Sequence, residues 1–174
     1  MCEMVATRGT CDRKQVGAIL VRDKRILTTG YNGSIPGSAH CDDPEMFWEC
    51  QICGNKTIEA PESVNGIGPM CRKTMQCMGH PARQKFGGHI MEDDHCVRTV
   101  HAEINAITQA ARLGISTQGA TVYCNTMPCW ACFKTIVVAG IVEIVYRDEY
   151  GTDDKIERST KNLSGFTIRR HLAT

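Results

Sequence analysis

Two short motifs constrain this chain more than any other feature: His101-Ala102-Glu103 and Pro128-Cys129-Trp130-Ala131-Cys132, with one predicted strand between them. An imidazole and two thiolates are good zinc ligands. Three protein ligands leave the fourth tetrahedral position open, which separates a catalytic zinc from a closed structural one. Neither motif holds a fourth ligand close by, so an open site formed by His101, Cys129 and Cys132 is expected. Glu103 is not needed as a ligand; beside an open metal position it reads as the proton carrier.

The composition sets bounds on everything else. A chain of 174 residues with a hydrophobic fraction of 42% is expected to form one domain with a real core. A net charge of +1 gives no electrostatic argument for a nucleic acid or an anionic membrane as partner, and no apolar run approaches a membrane span. Residues Met1 to Arg8 lack the apolar core and cleavage site of an export signal, so a cytoplasmic protein is expected. Eleven cysteines, an odd number, argue against a disulfide framework; accompanied by six histidines, the close pairs read as metal ligands. Cys2 and Cys124 have no clear partner and read as a terminal residue and a buried strand residue.

The elements are expected as follows. Met1 to about Thr7 is the end of a helix. Gln15–Arg22 and Arg25–Tyr31 are strands joined at Asp23-Lys24 into a hairpin. Val100–Arg112 is a helix with Ile104, Ile107 and Ala111 along one face and Gly114 as its stop. Ala120–Asn125 is a short buried strand, Cys129–Ala139 a helix closed by Gly140, and Ile141–Tyr146 a further strand. A helix from Asp153 to about Leu163 and a strand Gly165–His171 follow. From His40 to Cys96 periodicity fails. That stretch holds six of the eleven cysteines and four of the six histidines. A hairpin followed by β-α alternation implies a mixed sheet with helices on both faces.

On these elements Cys129 and Cys132 share the face of a helix start, where backbone amides favour thiolate over thiol. His101 opens the other helix. On a regular helix, residues two apart such as His101 and Glu103 point apart, so the helix end has to bring Glu103 to the site. Zinc lowers the pKa of bound water from about 15.7 to near 7. The resulting nucleophile can add to C4 of a cytosine ring while Glu103 carries protons to N3 and the departing amine. His-x-Glu followed by Pro-Cys-x-x-Cys is the signature of zinc-dependent nucleobase deaminases.

Three further runs resemble the deoxycytidylate (dCMP) deaminase family. They are Cys96 to Ile107, Gln15 to Arg22 followed by Gly30-Tyr31-Asn32-Gly33-Ser34, and Gly119 to Tyr123 leading into Pro128-Cys129. The resemblance spans about Thr7 to Tyr150, apart from a central insertion. It implies an α/β fold, a three-layer α-β-α sandwich with a mixed sheet of about five strands, in one domain over 1–174 interrupted at about 42–94. It implies deamination of dCMP to dUMP and ammonia in the supply of thymidylate, activation by dCTP, inhibition by dTTP, and a homo-oligomer, most often a hexamer. By the same resemblance Asn32 contacts the substrate sugar, and Arg8 and Tyr150 lie near the nucleotide; Arg8 also has the guanidinium that a 5′-phosphate favours. Gly33, Asn105 and Arg112 match interface or regulatory positions. The family also implies a second, structural zinc for which Cys11 and Cys41 match two ligands, with His95, Cys96 or His40 available for the rest.

The insertion carries a motif of its own. Phe47-Trp48-Glu49-Cys50-Gln51-Ile52-Cys53-Gly54 has the Cys-x-x-Cys-Gly shape of a zinc knuckle. Cys71 and Cys77 complete a four-thiolate site, with His80 competing for one position. One catalytic and one or two structural zinc ions are therefore expected. Two other functions share the core motifs. A transfer RNA deaminase would want a basic surface, whereas Asp42 to Asp94 holds nine acidic and five Lys/Arg residues. A non-enzymatic zinc module would be favoured by loss of the proton carrier, and Glu103 is present.

Overall fold

A computed structural model of the chain describes residues 1–53, 56–57, 63–64, 67–71, 80–92, 95–150 and 154–171, with the backbone alone for 57, 63–64, 67–71, 80–83 and 95. The chain divides into two compact units, Met1–Gly33 with Thr99–Thr174, and Ser34–Arg98. In the first unit the elements run α1 Cys2–Ala6, β1 Gly17–Arg22, β2 Arg25–Tyr31, α2 Ala102–Arg112, β3 Thr121–Thr126, α3 Trp130–Val138, β4 Glu143–Asp148, α4 Asp154–Lys161 and β5 Thr167–Arg170. The sheet is five-stranded in the order β5-β4-β3-β1-β2. β1 pairs antiparallel with β2 and β3, while β3, β4 and β5 run parallel. The mixed sheet of about five strands is thus found.

Two glycines define the layers. A Cβ on Gly30 would fall 2.2 Å from Ala102 O and 2.3 Å from Ala106 N, so the α2 backbone lies directly on β2 there. A Cβ on Gly17 would fall 2.2 Å from Cys2 O, so α1 lies directly on β1. Gly17 pairs with Tyr31 and Ala18 with Gly30. Paired residues share a face and neighbours along a strand alternate, so α1 and α2 cover opposite faces. The alternation explains why β1 is apolar on both sides. α3 packs beside α2, burying Cys132, Phe133 and Ile136 in the core that contains Ala18, Leu20, Val122 and Ile144.

The buried stripe of α2 is Ala102, Ala106 and Ala110, each 0% exposed, not the expected Ile104-Ile107-Ala111 face. Ile104 and Ile107 are only partly buried and Ala111 is exposed. Close approach to Gly30 requires small side chains, and a hydrophobicity pattern ranks those below isoleucine. The hairpin turn falls where expected: Asp23 and Lys24 have φ of 51° and 61°, both in the left-handed region that a two-residue type I′ turn needs. Gly114 and Gly140, at φ of 67° and 76°, end α2 and α3 as expected.

β1 starts at Gly17 rather than Gln15 because the backbone before it is claimed by two buried asparagines. Asn32 Oδ1 accepts from Val16 N at 2.8 Å and its Nδ2 donates to Lys14 O at 2.7 Å. Asn125 Oδ1 accepts from Gly17 N at 2.9 Å and its Nδ2 donates to Gln15 O at 3.0 Å. Asn125→Ala leaves that N–H and C=O without their partner, and is expected to lower unfolding free energy by about 2 kcal/mol in a urea titration.

In the second unit the described residues form an antiparallel sheet, in the order Lys56–Thr57, Phe47–Cys50, His80–Lys85, Ile67–Cys71, Ser63–Val64. Met91–Glu92 pairs separately with His95–Cys96. The sequence shows no periodicity here because the strands are 2 to 6 residues long, and Pro69 and Pro81 interrupt the alternation. Among the described residues no helix is long and apolar enough to cross a membrane.

Candidate active site

Both metal-binding motifs sit at helix starts. His101 is the N-cap of α2, in an extended conformation with φ −68° and ψ 152°. Cys129 is the N-cap of α3, with φ −72° and ψ 168°. Each carbonyl accepts the first bond of its helix, from Asn105 N at 3.0 Å and Phe133 N at 2.8 Å. Both helices therefore begin one or two residues later than expected. Cys132 is three residues beyond the α3 cap, the spacing at which N-cap and N3 side chains meet.

Three ligand atoms converge. Cys129 Sγ lies 3.5 Å and Cys132 Sγ 3.3 Å from His101 Nδ1, and all three lie within 4.8 Å of one another. With Zn–S of about 2.3 Å and Zn–N of about 2.0 Å, tetrahedral geometry requires sulfur–nitrogen separations of about 3.5 Å. The residues present fit a zinc ion.

Glu103 joins them. It is 4% exposed, and its carboxyl shares a hydrogen bond with the Cys132 thiol. The extended N-cap explains how. Helical angular spacing does not apply between His101 and Glu103, since the helix begins after the histidine, so both side chains reach Cys132. Burial pushes the Glu103 carboxyl above its ordinary value. The hydrogen bond from Cys132 holds the Cys129 thiol far below its ordinary value, with burial opposing and His101 assisting. Cys124 behaves differently: burial, and then the charge of Glu103, push its thiol well up, and it serves as a core residue.

Sequence reasoning missed Thr126. Along β3 it alternates onto the face of Val122 and Cys124 and is 4% exposed. Its hydroxyl has no hydrogen-bond partner among the described residues. Nothing in the pattern separates it from an ordinary strand threonine.

Asn32, 7% exposed, has its amide engaged by the 14–16 backbone. Arg8 is exposed just beyond α1 and Tyr150 is exposed after β4. The Lys14 ammonium stands 4.6 Å from the centre of the Tyr150 ring, a cation–π pair that the sequence did not reveal. Asn105 Nδ2 donates to Tyr31 O at 2.7 Å, tying α2 to the end of β2. Gly33 is buried, and Arg112 is exposed in the last turn of α2.

In the second unit Cys41, His89 and Cys96 form another cluster, with ligand atoms within 4.8 Å of one another. Cys96 Sγ is 3.6 Å from Cys41 Sγ and 3.4 Å from His89 Nδ1. Burial raises the Cys96 thiol, but hydrogen bonds from His89, the Arg98 amide, Cys41 and the Ile90 amide outweigh it and bring it to about 7. The sequence did not single out His89. Its signal is the Gly87-Gly88 pair: a Cβ on Gly87 would fall 2.4 Å from Asp43 O and Pro44 O, and Gly88 has φ +76°. The glycines hold the turn carrying His89 against the segment after Cys41. His40 is exposed and pairs with Asp42, and the side chain of His95 lies outside the described residues. Cys11 is buried in the first unit. Cys50 is buried and Cys53 exposed, Cys71 ends the strand Ile67–Cys71, and Cys77 lies outside the described residues.

Residues 1–148 match the family model for the cytidine and deoxycytidylate deaminase zinc-binding region. The chain is 36% identical over 149 residues to the ComE operon protein 2 of Bacillus subtilis, covering 86% of this chain and 56% of that protein. It is 33% identical over 151 residues to the deoxycytidylate deaminase of phage T4, covering 84% of this chain and 74% of that one. It is 29% identical to the deoxycytidylate deaminase of Saccharomyces cerevisiae, covering 98% of this chain but 42% of that enzyme. The chain thus spans about half the length of the first curated relatives it matches. Its fold is that of the cyanophage S-TIM5 dCMP deaminase solved in complex with dCMP and dUMP, with a TM-score of 0.61 at 23% identity, covering 98% of this chain and 90% of that one.

Proposed function

The chain belongs to the cytidine and deoxycytidylate deaminase family, and from that premise we propose that it hydrolyses dCMP to dUMP and ammonia. One observation carries the chemistry: an open three-ligand set, His101, Cys129 and Cys132, with the buried Glu103 carboxyl bonded to one of its thiols. When bound there, a zinc ion supplies water acidified to a pKa of about 7. Glu103 takes a proton from the attacking water and gives it to N3 of the ring. It then takes the proton of the hydroxyl added at C4 and delivers it to the departing amine, the C4–N bond breaking as the C4 carbonyl forms. Burial favours the protonated carboxyl, the form that gives a proton to N3 and to the amine.

The monophosphate preference draws on the relatives named for dCMP and on the charges beside the loop before β1. Lys14 is held from both ends, its carbonyl by Asn32 and its ammonium by Tyr150, and with Arg8 it is the donor proposed for the 5′-phosphate. Losing one charge-assisted bond costs about 1.5 kcal/mol or more. Lys14→Ala is accordingly expected to raise KM for dCMP about ten-fold and leave deoxycytidine turnover unchanged.

The finer readings rest on the family. dCTP is the proposed activator and dTTP the inhibitor, with Gly33, Asn105 and Arg112 at regulatory or interface positions and a homo-oligomer, a hexamer favoured, as the working form. Leu113 and Val138, 59% and 87% exposed, suit self-association. The Cys41–His89–Cys96 cluster is proposed to hold a structural zinc. Ammonia release from deoxycytidine, dCMP and dCTP, each with and without dTTP, tests the function. The expected result is turnover of dCMP well above the other two and suppressed by dTTP. Turnover confined to the nucleoside, or to transfer RNA, overturns the substrate assignment.

A further inference from the structure

We propose that Thr126 touches the substrate, its hydroxyl hydrogen-bonding the polar edge of the pyrimidine ring. The proposal rests on the deamination of a cytosine ring put forward above, but on the ring alone and not on its 5′-phosphate.

Three observations carry it. The first is place. The α2 backbone lies on Gly30, Gly30 pairs with Ala18, and Ala18 pairs with Cys124. Paired residues share a face, and every second residue of a strand returns to it. Thr126 therefore faces the same side of the sheet as α2. Cys124, one step back on that face, has its thiol raised in part by the charge of Glu103. Thr28, one step back from Gly30 along β2, donates to Ala106 O at 2.9 Å. The helix thus runs from the Gly30 end of β2 toward the hairpin, and its start, with His101 and Glu103, stands at the end of the sheet where β3 finishes. Thr126 is the last residue of β3, and Cys129, the cap of α3, follows on the same connection. The second observation is that the sheet opens there. Beyond Ala18 and Cys124 the ladder between β1 and β3 stops, and the Asn125 side chain takes Gly17 N and Gln15 O instead. On its other side β3 stays joined to β4, with Thr126 beside Asp148 and Met127 N on Asp148 O. Ligands of open α/β sheets bind outside the carboxyl ends of the parallel strands, and Thr126 is such an end.

The third is the hydroxyl itself. Thr126 is 4% exposed, and its Oγ1 has no partner among the described residues. The carboxylate beside it in register, that of Asp148, is engaged by Arg147. A buried hydroxyl without a partner destabilises a folded chain, and valine would fill the same space with the same preference for a strand. A hydroxyl both donates and accepts, so it can pair with the donors and acceptors that lie side by side along the edge of a cytosine ring. A site built to hydrogen-bond its substrate carries such a group unpaired until the substrate arrives.

The test uses the full zinc-loaded chain. Thr126→Val and Thr126→Ser are compared with the native protein for zinc content, for urea unfolding without substrate, and for kcat/KM on dCMP and on deoxycytidine. Thr126→Val is expected to keep the native zinc count and to unfold at a urea concentration no lower than the native protein. Its kcat/KM is expected to fall about ten-fold or more on both substrates, the effect of one lost hydrogen bond. Thr126→Ser is expected to recover most of that loss. A threonine with a purely structural role gives the reverse split, a lower urea midpoint with kcat/KM unaltered. Native kcat/KM in Thr126→Val, a urea midpoint below the native one, or a loss confined to dCMP overturns the ring contact and leaves the deaminase reading in place. Native turnover of deoxycytidine alone, with the same loss in Thr126→Val, overturns dCMP as the substrate and upholds the contact. Turnover of neither substrate by the native protein overturns both.

Discussion

Glu103→Gln is expected to lower kcat for dCMP by roughly 10²–10⁴-fold, the range for losing a positioned general acid–base, while zinc content and fold stay native. The amide has the size of the carboxyl and keeps a partner for Cys132, but cannot shuttle a proton between water, N3 and the leaving amine. Because Glu103 is 4% exposed and touches a ligand thiol rather than solvent, no neighbouring water-borne base substitutes for it. The variant is expected to bind dCMP with little change in affinity, which separates it from Cys129→Ser, where zinc and turnover fall together. Near-native turnover by a zinc-loaded Glu103→Gln protein would show that the proton carrier lies elsewhere.

Gly30→Ala is expected to destabilise the protein by about 2–3 kcal/mol, the usual cost of forcing atoms into a packed core, and to lower turnover about a hundred-fold, as a displacement near 1 Å at a catalytic group does. The added methyl would meet backbone atoms of Ala102 and Ala106 at 2.2 and 2.3 Å, and backbone cannot rotate away as a side chain can. The first turn of α2 has to move off the sheet, taking His101 and Glu103 with it. Gly165→Ala is the control: at φ +75° with nothing within 4 Å, it pays only backbone strain of about 1 kcal/mol and keeps native turnover. Equal effects at both positions, read by urea titration and dUMP formation, would remove the link between sheet contact and active site.

The candidate ligands were legible because chemistry restricts zinc donors to few residue types. His101, Cys129 and Cys132 come together as the two motifs imply, and the strand, helix and glycine-stop pattern of the first unit appears with boundaries shifted by one or two residues. The shifts have causes that a periodicity cannot express. Asn32 and Asn125 take the backbone bonds that would have extended β1, and extended caps at His101 and Cys129 delay both helices. The same caps resolve the apparent divergence of His101 and Glu103. The alanine stripe of α2 was hidden because close packing on Gly30 selects size rather than hydrophobicity. His89 was hidden because its position depends on Gly87 lying against Asp43 and Pro44, a contact distant in sequence. The small sheet of the second unit was hidden because its strands are too short to show alternation.

The central claim, that His101, Cys129 and Cys132 hold the zinc on which dCMP hydrolysis depends, is tested most directly by dUMP formation as zinc is returned to chelated protein. The account predicts no dUMP from the metal-free protein and a rate that climbs to the native value as the sites fill, with no recovery in Cys132→Ser. Metal-free protein that stays folded and forms dUMP at the native rate, or fully zinc-loaded native protein that forms none, would contradict it.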